Sequence, residues 1–281
     1  MLSNAKTIFK KLSDQLATAF DPEEAKSFAY LILEEVTGLS KTDILIEKPV
    51  ALAEEINDEI STVLKRLLAH EPIQYILGKT IFYGLELSVN EHVLIPRQET
   101  EELVDWIIKA HHHTNNILDI GTGSGCIPIA LAKSYPLSEV HAWDVSAGAL
   151  EVAMKNAADN EVKIHFKQVD VLSEIPDQKF GLIVSNPPYI LEHEKAEMRP
   201  NVLDHEPGTA LFVPDQDPLL FYRTICQVSI DHLNPGGWLY FEINEKYGQE
   251  VASLMKDYQF TSIETRLDLN GKDRMVRGQK S

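Results

Sequence analysis

The stretch Asn116-Ile-Leu-Asp-Ile-Gly-Thr-Gly-Ser-Gly125 is the clearest indication of the fold, because an apolar run leads directly into a glycine-rich turn. Residues 117–120 are predicted to form a buried strand, and residues 127–133 are predicted to form the helix that follows. The glycines between them permit positive φ angles and let a ligand approach the backbone closely. This order of strand, glycine turn and helix is typical of α/β proteins with a ligand site at the turn.

The same alternation of strand and helix continues toward the C-terminus. A second helix is predicted at residues 147–156, and further strands at 139–143, 163–169, 181–185 and 238–243. Such alternation predicts an open, doubly wound, mainly parallel sheet. Residues 260–266 and 274–276 flank the turn pair Asn270-Gly271 and predict a terminal hairpin.

The N-terminal part of the chain has a different pattern. Apolar residues recur at helical spacing in residues 3–20, 23–37 and 54–68, which predicts a small helical bundle over residues 1–75. Short apolar runs broken by Gly78, Gly84 and Asn90 begin near residue 72 and predict a β-hairpin. We place this hairpin linker at residues 76–95 and the catalytic domain at residues 96–281, beginning with a helix at 99–110.

Composition and charge narrow the classes of function. The net charge of −17 argues against non-specific DNA binding, which depends on basic residues, and suits a basic protein partner better. No membrane span or signal peptide is evident, so a cytoplasmic protein is expected. Cys126 and Cys226 form no disulfide or metal framework. We interpret His111-His112-His113 as a solvated loop, because adjacent residues cannot all face one ion, and we predict no metal site.

The glycine turn has the spacing G-x-G-x-G, with Asp119 just before the first glycine. A dinucleotide site has a G-x-G-x-x-G turn that receives pyrophosphate at a helix N-terminus, and Asp119 would repel that group. The same carboxylate would attract the ammonium group of a methionine moiety. Asp144 follows at the distance typical of a residue that binds ribose hydroxyls, and Asp170 with Val171 is placed to meet adenine. The pattern favours S-adenosylmethionine, and a packing turn without ligand is the alternative.

The sequence Asn186-Pro187-Pro188-Tyr189 follows the strand predicted at residues 181–185. In open α/β sheets, ligands bind at that carboxyl edge. Two prolines fix the backbone and remove two donors. The Pro187 carbonyl and the Asn186 side-chain oxygen then make two acceptors for one NH2 group, and Tyr189 offers a ring for stacking. A strand-ending proline turn without catalytic function is the alternative.

This arrangement suits methyl transfer to a planar nitrogen. An amide nitrogen is a poor nucleophile, because its lone pair is delocalised. Two acceptors that hold both N–H bonds would direct the lone pair toward the sulfonium methyl, and orientation can supply about 7–11 kcal/mol. The same acceptors stabilise the positive charge that develops on nitrogen. We therefore expect no dedicated catalytic base.

With these motifs, the chain resembles the HemK/PrmC family of glutamine methyltransferases, which modify peptide chain release factors. The resemblance covers nearly the whole chain, and its further segments are Pro72-Ile-Gln-Tyr-Ile-Leu-Gly78 with Phe82 and Gly84, Val93-Leu-Ile-Pro-Arg-Gln-Glu-Thr-Glu101, Glu206-Pro207, Ala210-Leu211, Glu242-Ile243 and Asp273-Arg-Met-Val276. Adenine-N6 methyltransferases share the asparagine-proline-proline-tyrosine motif, so this motif does not distinguish the two substrates. The linker and tail segments are the features that indicate glutamine. Gln98 replaces a usual proline and Asn244 a common glycine, and we expect neither departure to touch the catalytic turn.

The resemblance implies a class I S-adenosylmethionine-dependent methyltransferase fold, which is Rossmann-like, and a helical N-terminal domain that contacts the release factor. It also implies an enzyme whose acceptor is the glutamine N5 in the Gly-Gly-Gln loop of class-1 release factors. This activity supports translation termination and yields S-adenosylhomocysteine. We expect this enzyme to be a monomer. The implied cofactor-binding residues are Gly121, Thr122, Gly123, Ser124, Gly125, Asp144, Asp170, Val171 and Asn186.

The implied catalytic and substrate-binding residues are Asn186, Pro187, Pro188 and Tyr189. Arg97, Glu99 and Thr100 are expected to organise the pocket, and Glu206 is expected near the acceptor without an assigned task. One alternative substrate is a ribosomal-protein glutamine. Another is adenine, which would need a path for a flipped base and is disfavoured by the acidic charge. A catalytically silent module that works through residues 1–75 is disfavoured by the intact motifs.

Overall fold

The structure, a computed structural model, describes residues 3–111, 114–173, 175 and 177–281. The chain divides into two units, Met1–Leu77 and Gly78–Ser281. The domain boundaries suggested above at residues 75 and 95 stay predictions. Among the described residues, no helix is both long and apolar enough to cross a membrane.

The first unit is mainly helical. Its described elements are β1 Ser3–Asn4, α1 Ala5–Leu16, α2 Pro22–Thr37, α3 Lys41–Leu45, β2 Pro49–Val50, α4 Glu54–Leu68 and α5 Ile73–Leu77. Helices α1, α2 and α4 confirm the three helices predicted from periodicity. The short helices α3 and α5 were not predicted, and α5 occupies residues that we had assigned to the hairpin segment.

Local sequence signals explain where α2 begins and ends. The Asp21 carboxylate accepts hydrogen bonds from the backbone amides of Glu23 and Glu24, at 2.8 and 3.0 Å, and Pro22 occupies the first helical turn. Gly38 ends the helix with a φ of 69°, the left-handed conformation that glycine adopts without a steric penalty. The apolar face of this helix packs with α1 and α4 around a core that includes Leu12, Leu16, Ala29, Ile32, Leu33, Ile60 and Leu67.

The second unit contains the large sheet. Its described elements are β3 Lys79–Phe82, β4 Leu85–Ser88, α6 Gln98–Ala110, β5 Asn116–Ile120, α7 Cys126–Ser134, β6 Glu139–Asp144, α8 Ala147–Asp159, β7 His165–Gln168, β8 Phe180–Ser185, β9 Ile190–Leu191, a 3-10 helix Glu192–Glu197, α9 Pro200–Leu203, α10 Gly208–Leu211, β10 Phe212–Val213, α11 Leu220–His232, β11 Leu233–Glu242, α12 Gly248–Asp257, β12 Phe260–Leu267 and β13 Asp273–Lys280.

The seven strands of the large sheet follow the order β12-β13-β11-β8-β5-β6-β7. Strands β11, β8, β5, β6 and β7 pair in parallel, whereas β13 runs antiparallel to both β11 and β12. The sheet confirms the prediction of a mainly parallel sheet with a terminal antiparallel hairpin. The chain builds outward from β5 through β6 to β7 and then returns to β8 on the other side. The carboxyl ends of β5 and β8 therefore form a topological switch point, where such sheets bind ligands.

Apolar side chains cover both faces of the sheet. One face carries Ile117, Leu182 and Tyr240, which belong to the same cluster as residues of α6 and α7. The other face carries Leu118 and Ile183, among others, with residues of α11 and α12. Neighbouring strand residues point to opposite faces, so this burial on both sides explains why the strands read as continuous apolar runs.

Two regions differ from the sequence predictions. The hairpin is confined to β3 and β4, which join through Tyr83 and Gly84 at φ angles of 50° and 75°, a conformation that matches the twist of paired strands. His111 is not part of a solvated loop as predicted. It is half-buried at the end of α6, and its Nε2 lies 2.8 Å from the Tyr240 hydroxyl. His112 and His113 lie outside the described residues.

Candidate active site

One cavity opens at the carboxyl ends of β5, β6 and β8. The predicted site residues that line it are Gly121, Thr122, Gly123, Ser124, Asp144, Asp170, Val171, Asn186, Pro187 and Pro188. Arg97 and Thr100, which precede and begin α6, line the same cavity. The fold thus brings the glycine turn and the proline turn, about sixty residues apart in sequence, to the same space.

The glycines of the turn have two different tasks. Gly121 and Gly123 have φ angles of 74° and 53°, and a Cβ added at either position would meet nothing within 4 Å. Gly125 has a φ of 80°, but its added Cβ would lie 3.1 Å from the Cβ of Ala153. Gly125 is not among the residues that line the cavity. In the structure Gly125 makes a close packing contact with α8, and its predicted cofactor contact stays a prediction.

A buried carboxylate lies beneath the turn. Asp119 is fully buried, and neither of its oxygens has a hydrogen-bond partner of normal geometry among the described residues. Burial raises its pKa to about 7, the nearby Asp144 carboxylate adds to the rise, and the Thr122 hydroxyl lowers it. Asp119 is not among the residues that line the cavity. Asp119 thus adds unneutralised negative potential beneath the turn when it is ionised.

Asp144 holds the glycine turn in place. Its Oδ2 accepts a hydrogen bond from the Gly123 amide at 2.8 Å, and its Oδ1 accepts one from the Ser146 amide at 2.9 Å. Burial raises the pKa of this carboxyl, while the two backbone amides lower it. The next strand end carries Asp170, which is exposed and accepts a hydrogen bond from the Leu172 amide at 2.9 Å.

Asn156 ties the turn to the β-hairpin, a contact that the sequence analysis missed. This side chain of α8 is fully buried, and its Nδ2 donates to the carbonyls of Ser124 and Ser88, both at 2.9 Å. Its Oδ1 accepts from the Ser88 amide at 2.7 Å. An asparagine in the last turn of an alanine-rich helix was the available signal, because this residue type is unfavourable inside a helix without a partner.

A chain of hydrogen bonds surrounds the proline turn. The Asn186 Nδ2 donates to the Thr100 hydroxyl at 3.3 Å, and that hydroxyl donates to Glu242 Oε2 at 2.6 Å. The other oxygen of Glu242 accepts from the Tyr189 hydroxyl at 3.1 Å. Both ends of the turn are therefore linked to one buried carboxylate.

Glu242 was recognised in the sequence only as part of a family segment. It is 1% exposed, and burial raises its pKa, while its bonds to Thr100 and Tyr189 lower it. Burial also raises the pKa of Tyr189 far above the ordinary value, and the Glu242 charge adds to this effect. A lone glutamate that ends an apolar strand is a signal that could have identified it.

Arg97 and Glu206 form an ion pair beside the cavity. The Arg97 Nη2 lies 2.6 Å from Glu206 Oε1, and the Ile95 amide donates to Glu206 Oε2 at 3.3 Å. The Glu206 carboxylate is 1% exposed. The structure thus supplies the task that the sequence left unassigned, because Glu206 anchors the segment before α6. Glu99 lies in the first turn of α6, and its part in organising the pocket stays a prediction.

Asn244, which replaces a common glycine, joins the same network. Its Nδ2 donates to the Tyr189 carbonyl at 3.3 Å, and its backbone amide donates to the Tyr222 hydroxyl at 3.4 Å. The prediction that this departure does not touch the catalytic turn is therefore wrong, because the Asn244 side chain contacts the backbone of Tyr189.

A second, smaller cavity also reaches the proline turn. Its lining includes Tyr189 and Glu242, together with Asn186 and Pro187, which also line the larger cavity. Asn186 and Pro187 therefore belong, with Leu94, Arg97 and Ala210, to the boundary that the two spaces share. Such a boundary can hold a group from one side while a second group approaches from the other.

Comparisons with known proteins agree with this geometry. The PrmC N-terminal domain family matches residues 7–78, and the methyltransferase small domain family matches residues 98–205. The solved structure of a methyltransferase from Pyrococcus furiosus is similar, with a TM-score of 0.53 and 18% identity over 79% of this chain and 99% of that one. The chain therefore has the fold of a class I S-adenosylmethionine-dependent methyltransferase, as predicted.

Sequence relatives define the family more closely. A release factor glutamine methyltransferase from Flavobacterium psychrophilum is 46% identical over 99% of this chain and 98% of its own length. Another, from Bacteroides thetaiotaomicron, is 43% identical over 96% of this chain and 98% of its own length. The chain belongs to the family of release factor glutamine methyltransferases, which confirms the resemblance inferred from the sequence.

Proposed function

We propose that this enzyme transfers a methyl group from S-adenosylmethionine to N5 of the glutamine in the Gly-Gly-Gln loop of class-1 peptide chain release factors. The main support for this proposal is that Asn186 and Pro187 line both cavities. We assign the larger cavity to the cofactor and the smaller one to the glutamine side chain. The catalytic turn would then lie where the methyl group and the amide nitrogen meet.

The residues of the larger cavity fit the cofactor. Gly121 and Gly123 leave open space in front of the backbone, and Asp144 lies where ribose hydroxyls can donate to it. The unneutralised carboxylate of Asp119 suits a ligand whose methionine end is cationic. Asp170 and Val171 are assigned to the adenine end. S-adenosylmethionine supplies an electrophilic methyl group on a sulfonium, and the chain supplies orientation.

Asn186 and Pro187 are assigned to the acceptor amide. The Asn186 side-chain oxygen and the Pro187 backbone carbonyl would accept hydrogen bonds from the two N–H groups of the glutamine amide. Tyr189 would lie beside this planar amide. This geometry holds the nitrogen lone pair toward the larger cavity and favours the positive charge that develops during transfer.

The surrounding groups argue against a dedicated base. The raised pKa of Tyr189 keeps its hydroxyl protonated near neutral pH. Glu242 already accepts hydrogen bonds on both oxygens, from Thr100 and Tyr189. The methylated nitrogen is strongly acidic before it loses its proton, so water can receive that proton.

The helical domain at residues 1–75 is assigned to recognition of the release factor, and the enzyme is proposed to act as a monomer. A net charge of −17 favours a protein substrate over a nucleic acid. A translation factor as substrate also implies that the reaction takes place in the cytoplasm.

Label transfer from S-adenosylmethionine tests this assignment. Purified release factor, its Gly-Gly-Gln glutamine→alanine variant, ribosomal protein and duplex DNA are offered in parallel as acceptors. We expect label only on the intact release factor. Equal label on the alanine variant, or label confined to ribosomal protein or DNA, would show that the proposed substrate is wrong.

A further inference from the structure

Thr100 and Glu242 lie next to the catalytic turn because of the sheet register. Phe241 of β11 pairs with Ser185 of β8, so the next residues, Glu242 at the end of β11 and Asn186 just after β8, lie side by side at the edge of the sheet. Thr100, in the first turn of α6, reaches between them. Both Thr100 and Glu242 are at most 2% exposed, so their hydrogen bonds are shielded from competing water.

The directions of these hydrogen bonds follow from the geometry. Glu242 accepts on both oxygens, from Thr100 and from Tyr189, so the Thr100 hydroxyl gives its single hydrogen to Glu242 at 2.6 Å. The same hydroxyl can then only accept from Asn186, and Nδ2 is the one atom of that side-chain amide that donates. Among the described residues, no donor contacts Asn186 Oδ1. The carboxylate therefore determines which end of the Asn186 amide remains available to a substrate.

We propose that Thr100 and Glu242 are positioning residues that hold the Asn186 amide with its oxygen, and not its NH2 group, toward the acceptor glutamine. The inference rests on the proposed function and extends it to two residues that do not touch the reacting atoms. A reversed Asn186 amide would present a donor to the glutamine NH2 group. That contact would be repulsive, and one of the two acceptors needed at the turn would be lost.

The same carboxylate also binds Tyr189, at the other end of the turn, at 3.1 Å. One buried group thus sets the orientation of the first residue of the turn and the position of the last. This explains why the strand places a glutamate where burial raises its pKa. An apolar residue at this position would leave the hydroxyls of Thr100 and Tyr189 without their shared hydrogen-bond acceptor.

The test compares variants that differ by one hydroxyl. Thr100→Val preserves the shape of the side chain but removes the hydroxyl, whereas Thr100→Ser keeps it. Thr224→Val is the control, because its hydroxyl bonds only to the Leu220 carbonyl within α11. For each protein, kcat and KM are measured with labelled S-adenosylmethionine and release factor, together with cofactor Kd and the Tm.

We expect Thr100→Val to lower kcat by about tenfold to a hundredfold, the range for a misplaced reacting group, while the cofactor Kd stays unchanged. Thr100→Ser restores most of kcat, and Thr224→Val behaves like the wild type. A valine variant with full kcat would overturn the inference. So would a loss that serine does not recover, or one that comes from weaker cofactor binding.

Glu242→Gln is a second test of the same role, and it can be used if Thr100→Val does not fold. Its amide can donate to Thr100, which lets the Thr100 hydroxyl donate to Asn186 and reverse that side chain. We expect kcat to fall with unchanged cofactor Kd, and unchanged kcat would contradict the inference. A wild-type enzyme that transfers no label to release factor would instead refute the proposed function, so the two failures are distinguishable.

Discussion

The Asp144 carboxylate accepts a hydrogen bond from the Gly123 amide at 2.8 Å, which ties the end of β6 to the glycine turn. The second oxygen accepts from the Ser146 amide, just before α8. One side chain therefore connects a strand end, a ligand-facing turn and a helix start. It also lines the cavity, so it can hold the turn and contact a ligand at the same time.

Asp144→Ala is expected to weaken S-adenosylmethionine binding, because it removes the acceptor for the Gly123 amide and for the ribose. Loss of a hydrogen bond to a charged group predicts an increase in Kd of about tenfold to a hundredfold, measurable by calorimetry. The matched control is Asp159→Ala, whose carboxylate pairs with Lys155 at the exposed end of α8. An unchanged Kd in Asp144→Ala would contradict the role assigned to this residue.

Asn156→Ala is expected to lower the free energy of unfolding by about 3 kcal/mol, because the partly buried Ser88 amide and the carbonyls of Ser88 and Ser124 lose the Asn156 side chain as a partner. The loosened Ser124 carbonyl also predicts weaker cofactor binding. Urea unfolding and calorimetry measure the two effects. Asn57→Ala is the control, since that exposed side chain donates only to the Ala53 carbonyl. Equal stability losses in both variants would show that the buried contacts of Asn156 are unimportant.

The sequence predicted the parts of the site that are contiguous. The glycine turn and the Asn186–Tyr189 turn each carry their signal within a few residues, and strand periodicity placed both at one sheet edge. The Thr100–Glu242 contact joins residues 142 positions apart, so no local pattern could reveal it. The contacts of Asn156 and Glu206 could not be predicted for the same reason, since their partners belong to distant segments.

The local sequence pattern also failed to predict helices in segments whose conformation depends on tertiary packing. Ile73–Leu77 forms α5 although its apolar, glycine-flanked sequence resembles a strand, and a five-residue segment is too short to show helical periodicity. Helices α11 and α12 were not predicted. Their burial against the sheet face that carries Ile183 stabilises them more than their intrinsic propensities do.

The buried Asp119 predicts a specific dependence of stability on pH. Its pKa is about 7 in the folded chain against an ordinary 3.8, so the folded state binds more protons between these values. The wild type is therefore expected to lose stability relative to Asp119→Asn as pH rises, approaching about 1.4 kcal/mol per pH unit before levelling off above about pH 7. Chemical unfolding of both proteins across this range gives the difference. A constant difference would show that Asp119 titrates normally.

The Arg97–Glu206 pair predicts an asymmetric double-mutant cycle. Arg97→Met leaves Glu206 buried without its cation, and because Arg97 is partly exposed we expect a loss of about 1–2 kcal/mol. Combining it with Glu206→Gln removes the orphaned charge and should recover part of that loss. Thermal unfolding of the single and double variants gives the coupling energy. Strictly additive effects would mean that the two side chains do not interact.

We expect the enzyme to use the Asn186–Tyr189 turn to methylate the Gly-Gly-Gln glutamine, and mass spectrometry of the release factor tests this claim. The factor is incubated with S-adenosylmethionine and either the wild-type enzyme or Asn186→Ala, and the peptide that contains the motif is fragmented. We predict one added methyl group on the glutamine side-chain amide with the wild type and none with Asn186→Ala. A methyl group on another residue, or the same product from Asn186→Ala, would contradict the claim.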